Sequence, residues 1–339
     1  MATVSGMYLP IDVALTEDEL ARDFVAAVSA RQIPEKFFYW FPLSVRAWLA
    51  LCGEGAYRNF SRSHQVITEH ASDVASLVSP GEVEVVSLGA GQGDKDRVIV
   101  RALIARGAAA RYRPVDASLG LLEIAVGDAR REGIDARGLK ADFTERSQLR
   151  ELLSDGAGQW RGLGGSRGSG GSRLILLLGN TLGGFDPARM ARDLAALMRE
   201  GDLAVVDGEL FAGASTLAGY DNPINRQFAF SPLAGAGLVP DDGQLEFRIG
   251  QDRSRSGLHR VDKSFTASRP AVLHVAGETV ALSPGERIEM SSSHKYDEPT
   301  FLALLAEAGL TPRASYRSAD GRLLMAVVER ETTSAGRKS

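Results

Sequence analysis

Two rhythms of apolar positions divide the chain. From Val83 onward, short apolar runs alternate with helical segments. "VEVVSLG" is followed by a helix near 95–106, "ARYRPVD" by a helix near 118–132, and then comes "RGLKADF". After a glycine-rich segment the alternation resumes with "RLILLLG", a helix near 187–199 and "DLAVVDG". Short apolar runs bounded by turn signals read as buried strands, and strands separated by helices close through right-handed crossovers into a mostly parallel sheet. The pattern predicts an α/β domain with a doubly wound sheet covered on both faces.

The flanking segments follow other rules. Residues 16–32, "TEDELARDFVAAVSARQ", carry apolar residues at helical spacing behind Thr16, with Glu19 three positions on, which is the arrangement of a capping box. In "IPEKFFYWFPL", Phe37, Phe38, Tyr39, Trp40 and Phe41 stand in succession. Neither helical nor strand periodicity buries five consecutive side chains in one core, so either some line something else or the run forms an aromatic-rich core joint between N-terminal helices. Residues 244–280 read as strands with turn signals and no helix between them, which predicts an inserted antiparallel sheet. A helix in "EPTFLALLAEAGL", stopped by Gly309, and a strand in "RLLMAVVER" return to the first rhythm. The expected organisation is a substrate-binding α+β unit from 1–62 plus 209–295 and a cofactor-binding unit from 63–208 plus 296–330. Residues 158–173 hold seven glycines in 16 positions and read as a flexible loop, either a lid or a disordered insertion, and 331–339 as a disordered tail.

Composition removes several function classes. A chain of 339 residues, 44% hydrophobic and 24% charged, can bury one large core or two moderate ones. Net charge is -4 with the basic residues scattered, which argues against nucleic acid as a partner. The single cysteine, Cys52, excludes an intrachain disulfide and a thiolate-rich zinc site, and the five histidines show no metal-ligand spacing, so no metal is expected. No basic-then-apolar leader pattern and no run of about 18 apolar residues occurs, so the expectation is a cytoplasmic protein away from the membrane.

The candidate chemistry centres on "VVSLGAGQGDK", residues 85–95. Gly89, Gly91 and Gly93 follow a strand and open a helix, the setting in which backbone approaches a nucleotide closely. The last glycine position of the dinucleotide fingerprint falls on Asp94, whose carboxylate would repel a pyrophosphate, and no Walker-type G-K-[ST] follows. S-adenosylmethionine has no phosphate and a sulfonium that tolerates acidic neighbours. Asp116, 23 residues beyond Gly93 at the end of the second strand, is placed for the ribose hydroxyls. Asp142 is placed to accept from the adenine amino group, with Phe143 packing beside the ring. All three acids fall at carboxyl ends of strands, where open α/β sheets bind ligands.

With these motifs in place, the chain resembles the histidine N-alpha-methyltransferase family of ergothioneine biosynthesis and its fungal relatives that methylate prenylated tryptophan. "IPEKFFYW" is similar to that family's K-W-F-Y segment, "SLGAGQGDK" to L-G-S-G-x-x-E-K, and "LLLGNTLGGFDP" to F-L-G-S-T-I-G-N-L-x-P. "AGYDN" is similar to A-Y-D-D, and "SSSHKYDEPTFLALLAEAGL" to an E-x-S-x-K-F element and its following helix. The resemblance runs from Lys36 to Arg330 and is diluted around 222–285. It implies a class I methyltransferase domain, Gly89, Gly91 and Lys95 at the cofactor, and the substrate between the two units. It also implies that Tyr39, Tyr57 and Tyr220 surround the substrate amino acid, with the hydroxyls of Tyr39 and Tyr220 orienting the nitrogen lone pair.

Departures from the family pattern fall on the substrate side. The family asparagine that holds the substrate's amino and carboxylate end falls on Gly184, and Asn180 occupies the position of the usual serine. The family glutamate that grips imidazole falls on Ser291, while Ser293 keeps the family serine; Glu289 reaches the glutamate's place only if the strand shifts register. Losing a charged partner for imidazole costs on the order of 1.5 to 3 kcal/mol of binding. The expectation is an S-adenosylmethionine-dependent N-methyltransferase of an amino acid or related small amine other than histidine, in specialised metabolism. An O- or C-methyltransferase, and a cofactor-binding partner or sensor without catalysis, stand as alternatives. Methyl transfer from a sulfonium disperses charge, so the protein's task is to hold a deprotonated nucleophile in line within a dry cleft.

Overall fold

The computed structural model describes residues 8–53, 58–149 and 171–331. The chain begins with β1 (Ile11–Val13) and α1 (Glu17–Ser29). Thr16 and Glu19 close the expected capping box: the Thr16 N–H donates to Glu19 Oε2 at 2.8 Å and the Glu19 N–H to Thr16 Oγ1 at 3.2 Å. A two-residue strand β2 (Gln32–Ile33), a 3-10 turn (Glu35–Tyr39), α2 (Pro42–Gly53) and α3 (Arg58–Leu77) follow.

The alternating region then builds the main sheet. Its elements are β3 (Glu82–Leu88), α4 (Asp94–Ala105), β4 (Ala109–Asp116), α5 (Leu119–Arg131), the short β5 (Asp135–Ala136) and β6 (Gly138–Lys140), β7 (Ser172–Leu177), α6 (Pro187–Leu197) and β8 (Leu203–Glu209). Two helices, α7 (Ala214–Tyr220) and α8 (Pro223–Gly235), lead into β9 (Gly243–Gln251), β10 (Leu258–Ala267), the hairpin β11 (Ala271–Val275) and β12 (Glu278–Leu282), and β13 (Arg287–Tyr296). Helix α9 (Glu298–Glu307), β14 (Leu310–Arg317) and β15 (Leu323–Arg330) complete the fold. Gly309, at φ +75°, turns the chain out of α9 as expected.

The main sheet runs β1-β6-β4-β3-β7-β8-β15-β14, parallel except at β15, which is antiparallel to both neighbours. Strand alternation explains why both faces are covered. Val85, Leu174 and Leu176 enter one core with Val66 of α3, Ile99 of α4 and Val126 of α5. Val86, Ile175 and Leu177 enter the other with Met190 and Leu194 of α6 and Phe301 of α9. Successive side chains of a strand face opposite ways, so apolar runs without polar breaks are what a sheet buried on both faces requires. This is the doubly wound sheet expected of a class I methyltransferase.

The second sheet runs β2-β13-β10-β9, with β2 parallel to β13, so the N-terminal segment is stitched to the late insertion. Between Val261 and Lys263 the register with β13 shifts, leaving Ser291 and Ser292 opposite the single residue Asp262. Such a bulge re-aims side chains where a sheet meets a site.

The aromatic run forms a core joint, and one of its rings also lines a cleft. All five rings join one apolar cluster, with Phe37 and Phe38 fully buried. The cluster surrounds the 3-10 turn rather than lying to one side. Phe24 of α1 meets Phe37 at 5.1 Å and Phe41 at 5.2 Å, while Phe228 of α8 meets Phe38 at 5.9 Å and Tyr39 at 5.5 Å. Of the five, Tyr39 also borders the cleft described next. Residues 158–170 of the glycine-rich segment, Tyr57, and 332–339 lie outside the described residues.

Candidate active site

The carboxyl ends of β3, β4, β6 and β7 meet one cleft, beside the point where strand order reverses between β3 and β7. Gly89, Gly91 and Gly93 hold φ of +69°, +56° and +74°, a region that side-chain-bearing residues rarely adopt. At Gly89 a β-carbon would lie 3.2 Å from Thr181 Cγ2 and 3.3 Å from Phe143 Cε1, so glycine keeps the floor of the cleft open.

Asp116, the last residue of β4, is buried and accepts from the backbone N–H groups of Gly91 and Ser118, each at 2.9 Å. Burial pushes its carboxyl above the usual aspartate range, against the pull of those backbone donors. It therefore fixes the glycine turn while lining the cleft. Asp142 accepts from the Thr144 N–H at 3.0 Å and hydroxyl at 2.6 Å, and its other oxygen meets Lys36 Nζ at 3.1 Å. Lys36 reaches Asp23 as well, at 2.7 Å, which clamps the N-terminal segment onto this edge. Burial works to lower the Lys36 pKa, but the two carboxylates outweigh it and leave it raised. Phe143 meets Phe185 edge-on at 5.3 Å. Lys95 lies over the Phe60 ring at 5.2 Å, and a β-carbon at Gly179 would collide with its ammonium. Asp94 is engaged by Arg97 at 2.8 Å and Gln92 at 2.9 Å. Glycine backbone, a buried ribose-type acceptor and an acidic rim without a phosphate grip fit an adenosyl sulfonium.

Across the cleft stands a network of buried polar groups. The Tyr220 hydroxyl donates to Glu209 at 3.1 Å, accepts from Asn59 Nδ2 at 3.1 Å and meets Ser293 Oγ at 3.3 Å. Burial, then the Glu209 charge, raise its pKa well above the ordinary value, so it stays a neutral phenol. Lys295 is fully buried, pairing with Glu209 at 2.9 Å and donating to Ser293 at 2.7 Å; burial lowers its pKa despite that partner. Asn180, at φ +60°, donates its backbone N–H to Asp207 at 2.6 Å. Its side chain accepts from the Glu209 N–H at 3.0 Å and donates to Ser293 Oγ and the His294 carbonyl at 3.3 Å. Its amide is thus committed to joining β8 and β13, and does not take over for the family asparagine at Gly184.

The substrate-side departures acquire a physical meaning here. A β-carbon on Gly184 would sit 3.3 Å from Glu35 Cγ and 3.6 Å from Glu35 Cδ, so Glu35 occupies the space an asparagine there would claim. Glu35 accepts from the Tyr39 hydroxyl at 2.9 Å and from the Ser291 hydroxyl, and lies 3.9 Å from Lys263 Nζ. The expectation that Ser291 leaves its surroundings without a carboxylate is therefore corrected: Glu35 supplies one from the 3-10 turn. Glu289 is exposed and paired with Arg287 at 2.5 Å, outside the cleft.

The cleft gathers Tyr39, Gly89, Gly91, Lys95, Asp116, Asp142, Phe143, Gly184, Tyr220 and Ser293 along its lining, with Ser291 reaching it through Glu35. Sequence reasoning missed Glu35, Asn59, Glu209 and Lys263. Glu209 ends a parallel strand at the ligand edge, and Lys263 interrupts the inward series Val261, Lys263, Phe265; both were readable signals. Glu35 and Asn59 had none, since only the folded chain brings them across.

A family model described as histidine-specific, SAM-dependent methyltransferase matches residues 18–226 and 247–330. The chain is 27% identical over 260 residues to a histidine N-alpha-methyltransferase of Mycobacterium tuberculosis (strain CDC 1551 / Oshkosh), covering 73% of this chain and 74% of that protein. It is 24% identical over 317 residues to a histidine N-alpha-methyltransferase of Mycolicibacterium smegmatis, covering 89% and 92%. To the N-methyltransferase fsqC of Aspergillus fumigatus it is 22% identical over 313 residues, covering 87% and 80%.

Proposed function

We propose, because the chain belongs to the histidine-specific, SAM-dependent methyltransferase family, that it N-methylates an amino acid or related small amine other than histidine. When bound, S-adenosylmethionine supplies an electrophilic methyl group on its sulfonium. Asp116 takes the ribose hydroxyls, the backbone of Gly89 and Gly91 accommodates the cofactor closely, Asp142 and Phe143 hold the adenine and Lys95 the amino-acid end. Residues 1–62 plus 209–295 form the acceptor side in this reading. Tyr39, Trp48 and Phe228 wall the cleft with mutually packed rings, at 5.2 Å between Tyr39 and Trp48 and 5.5 Å between Trp48 and Phe228, which excludes water from the acceptor. Tyr220 remains protonated and serves to orient the acceptor nitrogen rather than to remove its proton.

The observation that carries the reading is the exchange at Gly184 and Glu35. Glu35 restores a carboxylate beside Ser291, but it already accepts from two hydroxyls, and Lys263 stands 3.9 Å away. An imidazole placed there must share Glu35 with the Tyr39 and Ser291 hydroxyls, which weakens the charged partner it would have and disfavours histidine. The test is incubation with methyl-deuterated S-adenosylmethionine and a panel of amino acids and small amines, read by mass spectrometry. A labelled product from at least one panel member, with histidine a poor acceptor, is the expected result. Histidine as the best acceptor would overturn the substrate reading.

A further inference from the structure

We infer that Lys263 is a specificity-determining residue of this chain, the group that anchors the carboxylate of its amino-acid acceptor; this rests on the methyltransferase reading above. Lys263 sits on the inward face of β10 between Val261 and Phe265, is 7% exposed and borders the cleft. Its ammonium carries three donors, yet among the described residues it makes no hydrogen bond. The nearest anion, Glu35, lies 3.9 Å away, too far for one, and already accepts from Tyr39 and Ser291. The remaining company is the Phe38 ring, 4.2 Å from the ammonium. Lys295, on the neighbouring strand, is answered by Glu209 and Ser293 and needs no ligand.

A buried ammonium with unanswered donors facing a cavity is a site for an acceptor-bearing anion, because a carboxylate there restores both the charge partner and the hydrogen bonds. Burial holds the Lys263 pKa down, with Glu35 opposing and the neighbouring Lys295 charge adding to it, so an anion that binds there raises that pKa and draws in a proton wherever the amine is neutral. Tyr220 and Ser293 line the same cleft, so a carboxylate on Lys263 leaves the amine of an amino acid within the cleft they share.

The experiment measures binding apart from turnover. With S-adenosylhomocysteine saturating, calorimetry compares each coded amino acid with its decarboxylated amine and its carboxamide. The wild-type protein is expected to bind at least one amino acid roughly 10- to 100-fold more tightly than its amine and amide, the loss typical of a charged hydrogen-bonded partner. Lys263→Met should erase that ratio and Lys263→Arg retain part of it, with affinity for S-adenosylhomocysteine unchanged in both. Equal binding of acids and amines by the wild-type protein, binding of neither, or a ratio that survives in Lys263→Met would overturn the inference. The wild-type comparison needs no variant to fold. Tight, carboxylate-dependent binding without any methyl transfer would instead sink the methyltransferase reading and leave the anchor standing.

Discussion

Asp116→Ala is expected to weaken S-adenosylmethionine binding by roughly 10- to 150-fold, the range for losing charge-assisted hydrogen bonds. The residue has two tasks, which is why the effect is large. Its carboxylate fixes the backbone of Gly91 and Ser118, and in the proposed reading its remaining lone pairs take the ribose hydroxyls. Asp116→Asn separates these tasks: it keeps the shape and one acceptor oxygen but loses the charge. A pH signature accompanies the change. Burial raises the Asp116 pKa, so in the free protein the carboxylate takes up its proton at a higher pH than an ordinary aspartate. Cofactor affinity that depends on this carboxylate is therefore full above that raised value and falls as pH drops through it. The Asn variant should lack the step. Calorimetry across the acid range checks both points, and unchanged affinity in Asp116→Ala would remove the ribose assignment.

Glu209→Ala should destabilise the protein by about 3–5 kcal/mol, because it strands the fully buried Lys295 without its anion. Tyr220 and Asn59 lose a partner at the same stroke. The pH dependence has a definite sign. Burial holds the Lys295 pKa below that of an unfolded lysine, so between the two values the unfolded chain binds more protons and stability rises with pH. Removing Glu209 lowers the folded value further and widens that window. The deficit of Glu209→Ala is thus greatest at neutral pH and shrinks toward the alkaline range. Glu209→Leu combined with Lys295→Met should recover most of the stability, as apolar replacements of buried ion pairs often do, while leaving the acceptor side inactive. Denaturant titrations at neutral and alkaline pH measure these differences. A double variant as unstable as the single one would show that the stranded charge is not the cause.

Much of the fold was written in local pattern. The apolar runs at Val85–Val86 and Leu174–Leu177 have no polar breaks because both faces of the sheet are buried, and Thr16 with Glu19 closes a helix through bonds three residues apart. The gathering of Gly89, Gly91, Asp116 and Asp142 at one cleft was legible for the same reason: they lie at strand ends, and topology alone brings those ends together. The polar groups of the opposite wall, Asn59, Glu209, Tyr220 and Lys295 on one side and Glu35, Lys263 and Ser291 on the other, come together from positions separated by up to 256 residues. No periodicity encodes such meetings. The aromatic run shows the limit most clearly, since periodicity assumes one core to one side, whereas α1 and α8 enclose the turn from both.

The account as a whole requires that cofactor and amine meet in this one cleft and that nitrogen receives the methyl group. The most direct test is transfer from S-adenosylmethionine labelled with carbon-13 in the methyl group to the best acceptor, followed by nuclear magnetic resonance of the product. The account predicts a labelled methyl bonded to the acceptor's amino nitrogen, formed by the wild-type protein and not by Asp116→Ala at the same cofactor concentration. A methyl group found on oxygen or carbon, or no transfer while the cofactor binds tightly, would contradict it.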